Sequence, residues 1–152
     1  MSDFDPDTFM SETTTESNVT TFEPVPEGEY PAFIVKVEAG QFQGTKDPSK
    51  TYTTMNVTWE IDDPALAERL ERDRLTSRQS VFLDMGPDKK LETGKNKNIG
   101  LGRLREAVGQ NTPGQPWAPS MLEGAAGRIT VEHVLRDGVP YDQVARVTSM
   151  NG

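Results

Sequence analysis

From Thr54 to Ile61 the chain alternates without a break: Met55, Val57, Trp59 and Ile61 fall on one side, Thr54, Asn56, Thr58 and Glu60 on the other. A period of two places the apolar set on one face of an extended segment, so this is a half-buried β-strand that needs partners and a core. Less regular segments with the same character run from about Tyr30 to Ala39, Arg78 to Met85, Arg128 to Leu135 and Tyr141 to Met150. The chain is thereby committed to a sheet of about five strands.

The first of these strands puts Phe33, Val35 and Val37 on one face and Ala32, Ile34 and Lys36 on the other. Apolar residues on both faces suit a strand near the middle of a small barrel. The polar stretch Gln41 to Lys50 reads as a hairpin connection. Asp63 followed by Pro64 reads as a helix cap and first helical position, and Leu66 and Leu70 give that short helix a narrow apolar stripe. In the third strand Val81, Phe82 and Leu83 are consecutive, with Phe82 expected in the core. After a polar loop, Gly86 to Lys97, Asn98 is placed to cap a second helix carrying Leu101, Leu104, Ala107 and Val108, which Gly109 ends. A connector with Pro113, Pro116, Trp117 and Pro119 follows, and Asp137-Gly138 marks a closing β-hairpin.

The resulting order is strand, strand, short inserted helix, strand, helix, strand, strand. It predicts a mainly β protein, a five-stranded OB-like Greek-key barrel with a helix between strands 3 and 4 and a short inserted helix between strands 2 and 3. A small α+β sandwich would give a similar string.

Charge divides the chain. Of its 24 acidic residues, eight (Asp3, Asp5, Asp7, Glu12, Glu16, Glu23, Glu27 and Glu29) lie before residue 36, where there is no Lys or Arg; the remaining 16 acids face all 16 bases. The net charge of −8 therefore belongs to the N-terminal segment, and it does not argue against a positive face on the body. Residues 1–22 read as an acidic disordered arm, too poor in periodic apolar residues to offset the entropy of ordering. Residues 23–152 form the domain. With no cysteine there are no disulfides and no thiolate chemistry. The absence of a long apolar run or a signal-peptide pattern points to a soluble cytoplasmic protein without a membrane partner.

Catalytic machinery is thin. His133 is the only histidine, lies in a predicted strand and lacks evident partners for a metal site or a triad. Asp62, Asp63, Asp84 and Asp88 would have to converge to hold a metal, and capping accounts for Asp63. Gly94-Lys95 and Gly100-Leu101-Gly102 both fail the phosphate-loop and dinucleotide patterns. The expectation is therefore no enzyme, no cofactor and no metal.

Positive charge and exposed rings are more informative. Between Gly86 and Arg105 stand Lys89, Lys90, Lys95, Lys97, Arg103 and Arg105 against only Asp88 and Glu92. They suit a rim that neutralises phosphates, although a solvated loop would have the same composition. Phe42 and Tyr52 flank a loop bearing Lys46 and Lys50, the mixture of rings and cations that single-stranded nucleic acid requires. Trp117 is either a further stacking surface or a packed connector residue. Trp59 is expected in the core.

The lead-in Phe22-Glu23-Pro24-Val25-Pro26-Glu27-Gly28-Glu29-Tyr30, the strand Met55-Asn56-Val57-Thr58-Trp59-Glu60-Ile61, the helix Leu101 to Gly109 and Leu122-Glu123-Gly124 before the Asp137-Gly138 hairpin resemble a family of small bacteriophage OB-type single-stranded DNA-binding proteins. The resemblance spans about residues 22–150. It implies a nonenzymatic protein that coats single-stranded DNA, with little sequence specificity, in phage replication or recombination in the host cytoplasm. The Asp62–Arg78 insertion and the acidic arm depart from that pattern.

On this reading Lys89, Lys90, Lys95, Lys97, Arg103, Arg105, Lys46 and Lys50 neutralise phosphates while Tyr52, Phe42 or Trp117 stack on bases. The arm would compete for the positive face and recruit replication or recombination proteins. Oligomeric state is left open, a dimer included. The alternative is a β-domain for protein interaction or virion assembly that binds no nucleic acid.

Overall fold

The computed structural model describes residues 3–20 and 22–150. Within them the elements are α1 (Pro6–Ser11), β1 (Gly28–Gln43), β2 (Thr51–Ile61), α2 (Pro64–Arg69), β3 (Leu75–Leu83), α3 (Ile99–Ala107), a 3₁₀ turn (Pro119–Leu122), β4 (Ala126–Arg136) and β5 (Val139–Thr148). The strands form one antiparallel sheet in the order β3-β2-β1-β4-β5. It is an open sheet: no backbone ladder joins β3 to β5.

The sheet nevertheless curls until its two edges meet through side chains. Ser77 of β3 donates its hydroxyl to Asp142 Oδ1 of β5 at 2.7 Å, and Asp142 Oδ2 accepts the Val25 N–H at 2.9 Å. Val25 is fully buried, and its carbonyl lies 2.6 Å from Nε2 of His133. The lead-in to β1 is thus fastened into the seam, and His133 serves this fastening. Tyr30 ties the same segment by donating to the Pro26 carbonyl at 2.7 Å. Burial, with a smaller push from Asp63, raises the Tyr30 pKa above its ordinary 10.0.

The alternation in β2 is realised as read: Met55, Val57, Trp59 and Ile61 are all buried. They join Ala32 and Ile34 of β1, Leu75 and Val81 of β3, Ile129 and Val131 of β4, and Leu101 and Leu104 of α3 in one core. Trp59, its largest member, has zero exposure and satisfies its indole by donating from Nε1 to Gln79 Oε1 at 2.9 Å. Gly127 makes room for it: a β-carbon there would stand 3.4 Å from the indole and 3.0 Å from Val147 Cγ1.

Several local expectations hold. Asp63 Oδ1 accepts from Leu66 N at 3.1 Å, with Pro64 opening α2. The closing hairpin turns at Asp137 and Gly138, both with positive φ (52° and 78°), the geometry that matches a two-residue turn to strand twist.

Others are corrected. β1 extends well past Ala39, and a bulge between Ile34 and Lys36 shifts its phase. Val37 therefore lies opposite Val57 on the core side with Ile34, not with Phe33, which is exposed. Asn98 stands at the N-cap position of α3, its carbonyl accepting from Gly102 N at 2.9 Å, but its side chain makes no capping hydrogen bond. It sits in the left-handed region (φ 50°), accepts from Asp84 N at 2.7 Å, and donates its amide to the carbonyls of Asp84 and Glu92. Its side chain staples the 84–98 loop. The arm is not wholly irregular either: Asp5 caps α1, accepting from Asp7 N and the Thr8 hydroxyl, with Pro6 in the first turn. Those hydrogen bonds, Thr8 foremost, lower the Asp5 pKa below its ordinary 3.8. No residue of this helix is buried.

Candidate nucleic-acid interface

β2 and β3 present their second set of alternating residues on the face away from the core. The register runs Thr58 opposite Arg78, Asn56 opposite Ser80 and Thr54 opposite Phe82, with Tyr52 beyond them and Phe42 of β1 opposite Tyr52. Successive residues on this face are about 7 Å apart along a strand. Arg78, Ser80 and Phe82 thus form a row from a charged end to an aromatic end, braced midway by Ser80 Oγ donating to Asn56 Oδ1 at 2.9 Å.

At the aromatic end Phe42, Tyr52 and Phe82 gather in the open, with Phe82 61% exposed. Phe42 stacks on Tyr52 at 5.5 Å between centroids, and Phe82 meets both edge-on at 6.2 and 6.4 Å. The expectation that Phe82 belongs to the core is overturned. Leu75, Ser77 and Val81 take the inward phase of β3, which leaves Phe82 outward with Ser80 and Arg78. Beyond the rings the 44–50 turn, closed by Gly44 N–H to the Lys50 carbonyl and Lys50 N–H to the Asp47 carbonyl, holds Lys46 and Lys50 exposed.

At the charged end lies a groove of about 810 Å³ between the β3 and β5 edges. Arg72, Arg74, Arg78 and Arg136 line it, with Asn56, Ser80, Tyr141 and Gln143. Its one acid is Asp142, whose two oxygens already bind Ser77 and Val25. Arg74 is held by Glu60, with Nε 2.6 Å from Oε1. The Arg136 guanidinium lies 5.7 Å from the centre of the Tyr141 ring. Among the described residues neither Arg78 nor Arg136 has an ion-pair partner. Four guanidiniums set against Asp142 and the Glu60 that holds Arg74 leave a surplus of positive charge along the groove.

No family model and no curated protein matches the chain. The site therefore has to be judged on its own geometry.

The loop and helix expected to form the basic rim are placed differently. Lys97 is paired with Glu92 at 3.2 Å. Arg105 lies 4.2 Å over the Trp117 ring and donates from Nε to the Gln110 carbonyl, while the Trp117 indole donates to the Gln110 side chain. Trp117 itself is half-buried against the core. Lys89, Lys90, Lys95 and Arg103 are exposed, the first two on a tight turn closed by Gly86 and Lys90. This loop leaves β3 at the end where β2 begins, so it shares a sheet end with Phe42, Tyr52, Lys46 and Lys50. A second recess of about 260 Å³ beside α3 includes Lys97 and Arg105, but neither it nor the 86–105 loop lines the arginine groove.

Among the described residues no three His, Cys, Asp or Glu side chains gather as a group that could hold an ion. Asp63 caps α2, Asp84 binds Asn98 and Asp88 accepts from the Lys90 N–H. No helix among the described residues is long and apolar enough to cross a membrane.

Sequence reasoning missed Arg72, Arg74, Arg78 and Arg136 because they come from the α2–β3 connection, from β3 and from the end of β4. The signal that was present is the phase of β3. Once Leu75 and Ser77 are set inward, Arg78, Ser80 and Phe82 must share the outer face with Tyr52.

Proposed function

We propose that the protein is a nonenzymatic single-stranded DNA-binding protein with little sequence preference, acting in phage replication or recombination. The observation that carries this reading is the sharing of one sheet face by the exposed Phe42–Tyr52–Phe82 cluster and the row leading to Arg78 and the arginine groove. Unstacked bases need flat side chains and the backbone needs cations, and every base offers a π-face, so such a surface is tolerant of sequence. The guanidiniums neutralise phosphates and release counterions. Lys46 and Lys50 extend the track past the rings, and Lys89, Lys90, Lys95 and Arg103 flank it from the neighbouring loop.

The fold supports the same reading. The strand order β3-β2-β1-β4-β5, α3 between β3 and β4, and a β3–β5 seam held by Ser77 and Asp142 fit a partly open OB-type barrel whose last ladder is replaced by side chains. The face of strands 2 and 3 in that architecture is a usual place for oligonucleotides.

The test is fluorescence anisotropy of a labelled oligo-dT titrated with the protein at low and moderate salt. Intrinsic tryptophan emission is a poor reporter, because Trp59 is fully buried and Trp117 is packed under Arg105. Binding that weakens steeply with salt is the expected result. No anisotropy change at low salt removes this function and leaves a β-domain for protein contacts.

A further inference from the structure

The charged end of the groove is already touched by the chain's own N-terminal segment. Phe22 and Pro24 stand among its lining residues. The Arg72 guanidinium lies 5.4 Å from the centre of the Phe22 ring, and Arg72 also donates to the Glu23 carbonyl. Phe22 is 85% exposed, so it is not part of the core, and among the described residues its ring faces Arg72.

Only two peptide steps from Glu23, and three from Phe22, separate this contact from a fixed point. Val25 is buried, with its N–H on Asp142 and its carbonyl beside His133. A chain tethered there places Glu23 and Phe22 within about 10 Å of the seam whatever their conformation. Their effective concentration at Arg72 is correspondingly high, and a weak contact can then compete with a ligand in solution. The contact spends the guanidinium twice, on a ring face and on a carbonyl.

We infer that Phe22 and Glu23 form an intramolecular latch on Arg72, and that single-stranded DNA must displace it to use the whole arginine groove. This inference rests on the nucleic-acid reading of the groove and names the regulation of that site. Displacement leaves Val25 in place, so the seam stays closed and the movement is confined to the segment before Pro24. A protein that engages the acidic arm and draws it away would raise affinity for DNA without touching the groove.

The experiment compares full-length wild type with Phe22→Ala by oligo-dT anisotropy, alongside the fluorine resonance of 4-fluorophenylalanine placed at position 22, with and without oligo-dT. An exposed cation–π contact is a small term, so the expected gain in Phe22→Ala affinity is about two- to fivefold. Adding oligo-dT should move the resonance toward its position in a free peptide of the arm. Equal affinity of the two proteins, or a resonance that oligo-dT leaves in place, overturns the latch while leaving the groove as the binding site. Weaker binding by Phe22→Ala also overturns it, making Phe22 part of the DNA surface. If neither protein binds at low salt, the groove reading fails first and the latch fails with it.

Discussion

Residues 86–105 concentrate six basic side chains in one loop and helix, whereas the four arginines of the groove are drawn from three separate stretches of chain. In the loop two of the six are committed to holding the fold, Lys97 pairing with Glu92 and Arg105 covering Trp117 and binding a carbonyl, while Lys89, Lys90, Lys95 and Arg103 stand exposed on their own segment. In the groove, Arg78 and Arg136 have no carboxylate partner among the described residues, and the one lining acid, Asp142, binds Ser77 and Val25. Density of charge along the sequence and surplus charge in space are therefore different quantities. The groove stands at the far end of the Arg78–Ser80–Phe82 row that leads to three exposed rings, whereas the loop borders those rings from the near end of the sheet.

The largest effect should come from those rings. Tyr52→Ala with Phe82→Ala removes two stacking surfaces, each worth about 1–3 kcal/mol per base, so oligo-dT affinity should fall on the order of 100-fold. Both side chains are exposed but make every ring contact of the cluster, so melting should fall by only about 2–6 °C and the fold should survive. A folded double variant that still binds like wild type would break the assignment of the site to this face.

Next in size is Arg78→Ala with Arg136→Ala. Each lost phosphate contact on a single strand reduces the slope of log K against log salt by about 0.7, so the pair should flatten it by about 1.4 and weaken low-salt binding by about tenfold. The slope decides the matter, because a merely distorted groove would lose affinity without changing the number of ions released.

The contrast also explains how far the sequence could be read. β2 was legible because its alternation is strict, α2 because Asp63-Pro64 is a local cap, and the last hairpin because Asp137-Gly138 dictates a turn. These signals are local. Phe82 was misplaced because Val81, Phe82 and Leu83 are consecutive and apolar, which hides the phase that Leu75 and Ser77 set. The β1 bulge is a one-residue shift, compatible with apolar residues on both faces, and only its pairing with β2 reveals it. The seam depends on Ser77, Asp142 and Val25, far apart in sequence and brought together by sheet curvature. Of the candidate site, Phe42, Tyr52, Lys46 and Lys50 were visible because one hairpin carries them. The arginines were not, because their meeting is a property of topology.

The smaller predictions test the other side of the comparison. Arg105→Ala should cost about 0.5–2 kcal/mol in urea unfolding, since it uncovers Trp117 and leaves the Gln110 carbonyl without its side-chain donor, while oligo-dT affinity stays near wild type.

Smallest of all should be Lys89→Ala with Lys90→Ala, a change of about two- to threefold in affinity with little change in the salt slope. Both lysines are exposed on a tight turn and can approach DNA without being fixed against it. An exposed, flexible ammonium contributes a screened, long-range attraction, which lowers affinity modestly when removed and is already weak at physiological salt. If this pair instead flattens the slope as much as Arg78→Ala with Arg136→Ala does, the DNA track runs over the loop, and the groove and the loop exchange roles.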